Sequence, residues 1–127
     1  MKRKLFLLIL FLIALPLQSN HLTNKELVIT SESSKKAIRI ANHLNQNGVI
    51  KYSAYWCPKC LEQAEFFGKK AYKKLSVIEC ATDGKNSKTE LCIEKGIKGF
   101  PSWEINGEIF LGVKTLEQLS ELTNFKK

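Results

Sequence analysis

Val49-Ile50-Lys51-Tyr52-Ser53-Ala54-Tyr55-Trp56-Cys57-Pro58-Lys59-Cys60 is the stretch whose reading decides the fold. Residues 49–54 read as a strand, apolar enough to be central and covered on both faces. Residues 61–72 follow as a helix, with Leu61, Ala64, Phe66, Phe67 and Tyr72 on one broad apolar face, and Gly68 marking a bend or an early end. Cys57 then sits at the mouth of a helix, where free backbone N–H groups and the positive end of the macrodipole favour a thiolate. Pro58 falls in the first turn, where its missing N–H costs nothing. Lys59 adds a neighbouring cation, which again favours ionised sulfur. Two thiols two residues apart can close into a disulfide and reopen, so Cys57 and Cys60 are read as a thiol–disulfide exchange site.

The same spacing serves metal sites. The remaining cysteines, Cys80 and Cys92, form no second CxxC, and His21 and His43 both lie upstream of the pair. A cage of all four cysteines is the geometric alternative to redox chemistry. The redox reading expects no metal and no cofactor.

A chain of 127 residues, 44% hydrophobic and 25% charged, suits one globular domain. Its formal charge is +8, of which Lys2, Arg3 and Lys4 supply three. The other lysines are scattered, with no dense basic run interleaved with aromatics. A solvated lysine-rich surface is expected, and no nucleic-acid partner.

After Lys2-Arg3-Lys4, residues 5–15 carry no polar side chain, and Pro16-Leu17-Gln18-Ser19-Asn20 ends the run. Basic, apolar, then polar is the plan of a secretory signal. The apolar run is short beside the ~20 residues that span a bilayer. A cut after Ser19 would place Leu17 at the third position back, where a small residue is preferred. Residues 1–19 are therefore read as a signal peptide or membrane anchor, with residues 5–17 as the tether if no cut is made. Either way the body is expected to be exported. Disulfides persist in an oxidising compartment, so Cys80 and Cys92 can pair there.

Residues 20–33 are polar and without a firm period; they read as a linker, with Leu27-Val28-Ile29 as a candidate edge strand. Ser33-Ser34 offers an N-cap for a helix carrying Ala37, Ile38, Ala41 and Leu44 on one face, and Asn47-Gly48 stops it. Beyond the CxxC helix, residues 76–80 read as a strand that completes a right-handed βαβ unit. Asp83 to Ser87 is loop, and residues 88–95 form a short helix closed by Gly96. Residues 102–105 and 108–111 pair across Asn106-Gly107, a strong two-residue hairpin signal. Thr115 caps a last helix whose Leu116, Leu119 and Leu122 face inward. The expected α/β domain, residues 34–127, is β-α-β-α-β-β-α around a central mixed sheet, preceded by an N-terminal helix.

This order, Trp56-Cys57-Pro58-Lys59-Cys60 at the first strand–helix junction, and Phe100-Pro101 opening the hairpin together resemble the thioredoxin superfamily. The chain is most similar to the thioredoxin-like domain attached to bacterial and plant homologues of vitamin K epoxide reductase. Residues 54–60, Glu79-Cys80, Glu90-Leu91-Cys92, residues 96–101 and residues 103–107 carry that likeness. The resemblance implies that Cys57 is the exposed nucleophile and Cys60 the resolving thiol. It implies a cis bond before Pro101, substrate pairing at Phe100, and a rim shaped by Trp56. It further implies that a Cys80–Cys92 disulfide braces the insert between the second strand and the short helix; a relay role for that pair is the alternative. Substrate proteins with cysteine pairs are the implied partners. The compartment would be the periplasm or the thylakoid lumen. The fused membrane domain of that group is not found in these residues, so a separate vitamin K epoxide reductase-like membrane oxidase is expected. Thioredoxins place a buried Asp six residues before the nucleophile; here that position is Lys51. A lysine approaching the sulfurs would stabilise thiolate and favour an oxidant, with Lys51 and Lys59 tuning the pair.

Overall fold

Ser34 starts the first helix by accepting the Ala37 N–H on its Oγ at 3.0 Å. This helix, α1, runs Lys35–Gln46 in a computed structural model that describes residues 25–126. Ala37, Ile40, Ala41 and Leu44 are its buried residues. The expected stripe named Ile38 instead of Ile40. Ile40 completes the i, i+3, i+4, i+7 set from Ala37, and Ile38, at its margin, is only partly covered.

The strands are β1 (Ile50–Ser53), β2 (Ser76–Glu79), β3 (Ser102–Ile105) and β4 (Glu108–Leu111), in the order β2-β1-β3-β4. β1 pairs parallel with β2 and antiparallel with β3, and β3 pairs antiparallel with β4. The sheet is therefore mixed, and β1 is central as its apolar character requires. Asn106 and Gly107 turn the β3–β4 hairpin at φ 51° and 80°, the positive values that a tight two-residue hairpin turn demands.

α2 (Pro58–Tyr72) follows β1, the short α3 (Thr89–Glu94) follows β2, and α4 (Leu116–Leu122) closes the chain. Thr115 and Gln118 cap α4 reciprocally. One sheet face, with Val49, Trp103 and Ile105, packs on α1, α2 and α4 through Ile40, Leu44, Phe67, Ala71 and Leu119. The other face, with Tyr52, packs on the Cys80–Cys92 region together with Ile78, Ile97 and Ile109. Alternation along β1 sends Lys51 and Ser53 to the first face and Tyr52 to the second.

Gly68 bends α2 at φ 76°, ψ 172°. Residues 25–33, the described part of the expected linker, lie against this bend. They form no strand, so Leu27-Val28-Ile29 is not an edge strand. Instead the Lys69 N–H donates to Ser31 O at 3.0 Å, and the Ala71 N–H to Ser33 Oγ at 2.8 Å. These replace helix bonds that the bend interrupts. A Cβ on Gly68 would lie 2.6 Å from the Glu32 carbonyl carbon, so only glycine lets the strap approach. Glu65 holds it from the side, accepting the N–H groups of Thr30 at 2.7 Å and Ser31 at 2.8 Å.

The signal or anchor at residues 1–19, with its tether at 5–17, lies outside the described residues. Among the described residues no helix is long and apolar enough to cross a membrane.

Candidate active site

Cys57 is the N-cap residue of α2, and Pro58 opens the first turn. The Cys57 carbonyl accepts the N–H groups of Cys60 at 3.0 Å and Leu61 at 3.1 Å. Its side chain makes no cap bond and remains available to other partners. Both cysteines are free thiols. Cys57 is 8% exposed and Cys60 0%, so an incoming group meets Cys57 first. The Cys57 Sγ faces the Phe100 carbonyl at 3.6 Å, and the Phe100–Pro101 peptide bond is cis. Trp56, 59% exposed, stands edge-on to the Phe100 ring with centroids 6.2 Å apart. Cys57, expected to be exposed, is thus itself buried under the apolar rim and against a backbone carbonyl, though less deeply than Cys60.

Cys60 lies deeper. Burial pushes its thiol up, and a hydrogen bond with Cys57 acts in the same sense. Hydrogen bonds from the Ser53 side chain and Ala54 backbone, and the charge of Lys51, pull it down without cancelling the burial. Lys51 is fully buried. Its Nζ donates to Tyr72 Oη at 3.0 Å, to the Cys60 carbonyl at 3.3 Å and to Ser53 Oγ at 3.5 Å. It also lies 4.8 Å from the centre of the Tyr72 ring. Desolvation lowers its pKa to about 8, against the opposing pull of Cys60, Cys57 and Glu79. Burial likewise raises the Tyr72 phenol.

Lys59 takes a different place from the one its sequence position suggests. Its ammonium is paired with Glu62 at 2.9 Å, and its side chain is 69% exposed. The cation that acts on Cys60 is Lys51. Sequence reasoning missed Ser53 and Tyr72 altogether. Ser53 had a readable signal, a small polar residue in a buried strand on the same face as Lys51.

Cys80 and Cys92 form a disulfide with Cα atoms 5.9 Å apart, across a sequence separation of 12. Bonded to each other, they cannot join Cys57 and Cys60 in a four-cysteine metal cage. Among the described residues no group of three or more His, Cys, Asp and Glu side chains is placed to hold a metal ion. The Cys80–Cys92 pair and Tyr52 pack together, with Phe100 against them. Phe100 also packs against Cys57, Cys60, Ala54 and Ala81, so one ring joins the braced insert to the thiol pair. A second link runs from the loop after β2, where Asp83 accepts the Tyr55 hydroxyl at 2.9 Å.

A mixed four-stranded sheet with a CxxC at the start of the helix after its central strand, facing a cis-proline loop, defines an α/β thioredoxin-like fold. No family model matches the chain. Over 100 residues, 76% of this chain, it is 44% identical to thiol-disulfide oxidoreductase LTO1 of Arabidopsis thaliana. The chain spans 27% of that protein's length. This likeness supports a thiol–disulfide redox function for a thioredoxin-like domain.

Proposed function

We propose that the chain is an exported protein thiol–disulfide oxidoreductase that oxidises dithiols in substrate proteins through a Cys57–Cys60 disulfide. The observation that carries this reading is the graded exposure of the pair: Cys57 opens beside Trp56 and the Phe100 carbonyl, while Cys60 is sealed beneath it. A substrate thiolate attacks Cys57 Sγ, the Cys57–Cys60 bond breaks, and Cys60 carries away the electron pair. The second substrate thiolate then attacks the substrate sulfur of the mixed disulfide and expels Cys57. The substrate gains a disulfide, and the CxxC leaves with two electrons. A membrane disulfide oxidase of the vitamin K epoxide reductase type takes those electrons and restores the disulfide. Export rests on the basic and apolar start of the sequence. The oxidising direction rests on the buried Lys51 charge, which favours thiolate and hence the reduced pair.

Cys60→Ser removes the resolving thiol and is expected to accumulate mixed disulfides through Cys57. If no disulfide-linked substrate is trapped, the domain is a binding module and the proposal fails. The potential of the purified pair sets the direction: near about −120 mV it is an oxidant, and near about −270 mV a reductant.

A further inference from the structure

Both thiols of the CxxC belong to a small apolar cluster with Ala54 and Ala81, and Tyr55, Phe100 and Leu27 pack against it. Tyr55 and Phe100 belong to the site already described. Leu27 comes from the strap at residues 25–33. Phe100 also packs with Tyr52, whereas Leu27 shares a surface cleft of about 420 Å³ with Ser53 and Tyr72. Alternation along β1 puts Tyr52 and Ser53 on opposite faces of the sheet. Phe100 and Leu27 therefore close the thiol pair from opposite sides.

The strap is fastened on both sides of Leu27. Downstream, the Glu65 carboxylate accepts the N–H groups of Thr30 and Ser31, and the Ala71 N–H donates to Ser33 Oγ. Upstream, Lys25 Nζ lies 3.1 Å from Asp83 Oδ2, and the same oxygen accepts the Tyr55 hydroxyl. Lys85 pairs with Glu26 at 2.6 Å. These upstream pairs are exposed and hold little by themselves, so the apolar contact of Leu27 is what seats this end. Burial alternates along the strap: Lys25, Leu27 and Ile29 are partly covered, while Glu26 and Thr30 are exposed and Val28 is 66% exposed. The apolar side chain at 27 thus faces the thiols, and the one at 28 faces solvent.

We propose that Leu27 is a positioning residue of the exchange: the strap presses it onto the thiol cluster, where it keeps water from Cys60 and so controls the release of that sulfur. This rests on the redox reading of the CxxC given above. When a substrate thiolate attacks Cys57 Sγ, the Cys57–Cys60 bond breaks and Cys60 leaves with its electron pair. Leu27 forms and breaks no bond in this step. It acts by keeping the surroundings of the leaving sulfur apolar, which penalises the charge that sulfur must carry. Burial is the largest influence on Cys60, and removing the side chain that closes one side relieves part of it. The charged group acting on Cys60 is Lys51 of β1. The strap's own charges near Leu27, Lys25 and Glu26, are taken up by Asp83 and Lys85.

The test uses the full chain in two settings. In a Cys57→Ser background with the Cys80–Cys92 disulfide intact, Cys60 is the one free thiol, and its alkylation by iodoacetamide against pH reads its titration. Leu27→Ala is expected to lower the midpoint by about one pH unit, which makes alkylation at pH 7 about tenfold faster. Leu27→Met, of similar volume, is expected to keep the wild-type midpoint, and Val28→Ala to leave it where it is. With both CxxC cysteines present, stopped-flow reduction of their disulfide by dithiothreitol reads the release of Cys60. That release is expected to be about threefold faster in Leu27→Ala, because a thiol of lower pKa leaves faster. If Leu27→Ala does not unfold cooperatively, Leu27→Val makes the smaller step, with alkylation at pH 7 expected to be about threefold faster. An unmoved midpoint in a folded Leu27→Ala or Leu27→Val would overturn the proposal. So would an equal shift in Leu27→Met or Val28→Ala, which would trace to the strap in general and not to apolar cover at position 27. Failure of Cys60→Ser to trap any substrate counts against the redox reading itself, whereas the Cys60 titration in Cys57→Ser is read independently of it.

Discussion

Replacing Lys51 with methionine is expected to stabilise the fold at neutral pH. The ammonium is buried against α2, and desolvation lowers it from 10.5 to about 8. That displacement corresponds to about 3 kcal/mol by which the fold disfavours the charged form. The side chain returns part of this through its contacts with Tyr72, Ser53 and the Cys60 carbonyl, worth about 1 kcal/mol in net hydrogen bonding. Methionine fills a similar volume without charge. The expected net gain is about 2 kcal/mol at pH 7, in line with the gain often seen when a buried charge is replaced by an apolar side chain.

The sign depends on pH. A lysine held below its ordinary value contributes stability that is complete above 10.5 and is lost as pH falls through about 8. Wild type therefore regains about 3 kcal/mol between these values, and the Lys51→Met advantage should vanish and then reverse near pH 10. Urea unfolding at pH 7 and pH 10, with the Cys80–Cys92 disulfide intact, measures both ends. Placing Cys57→Ser and Cys60→Ser in both proteins removes thiol titration from the comparison. A variant less stable than wild type at pH 7, or a difference that stays constant between the two pH values, would refute the reasoning.

Lys59→Gln should leave the reduction potential of the CxxC nearly unchanged, whereas Lys51→Met should make it more negative by some tens of millivolts, since about 30 mV accompanies each 1.4 kcal/mol lost from the reduced form; redox titration against glutathione separates them. Glu65→Gln should loosen the strap at residues 29–33, read as faster hydrogen exchange at the Lys69 and Ala71 amides. The same loosening is expected in wild type as pH falls from the ordinary 4.5 toward about 2, because hydrogen bonds from Ser31 and Thr30 hold the Glu65 carboxyl down there. Cys80→Ser with Cys92→Ser should lower unfolding stability by about 3 kcal/mol, the loop-closure value for a bridge of this span, while Cys60→Ser in that background still traps substrate through Cys57.

Local signals reported the local structure. Ser34 and Thr115 cap helices as their chemistry predicts, and Asn106-Gly107 turns the hairpin. Gly68 marks a bend because no other residue takes its φ at ordinary cost. What was not legible depends on pieces distant in sequence. Residues 25–33 have no period because they fold onto α2 through side-chain and backbone bonds to Glu65, Lys69 and Ala71, and periodicity reports only packing of a regular element. Ser53 and Tyr72 enter the site because β1 and the far end of α2 converge on one ammonium. That convergence is a property of how the sheet and helix pack.

The contrast between the two lysines shows why adjacency in sequence is a poor guide to electrostatics. Lys59 is next to the thiols along the chain, yet solvent and Glu62 absorb its charge. A pair of unit charges 4 Å apart is worth only about 1 kcal/mol at the dielectric of water, against about 4 kcal/mol at an effective value of 20. Lys51 is six residues before Cys57 and works in the second regime, because the sheet carries it under α2 and closes water out. The same exclusion of water penalises the Cys60 thiolate, and that penalty is the larger effect. Burial thus disfavours the Cys60 thiolate, and Lys51 and Ser53 offset only part of that penalty. Under the proposed exchange, Cys60 must leave as a thiolate in this site, so Lys51, which acts from within the same water-free region, has more influence on that step than Lys59.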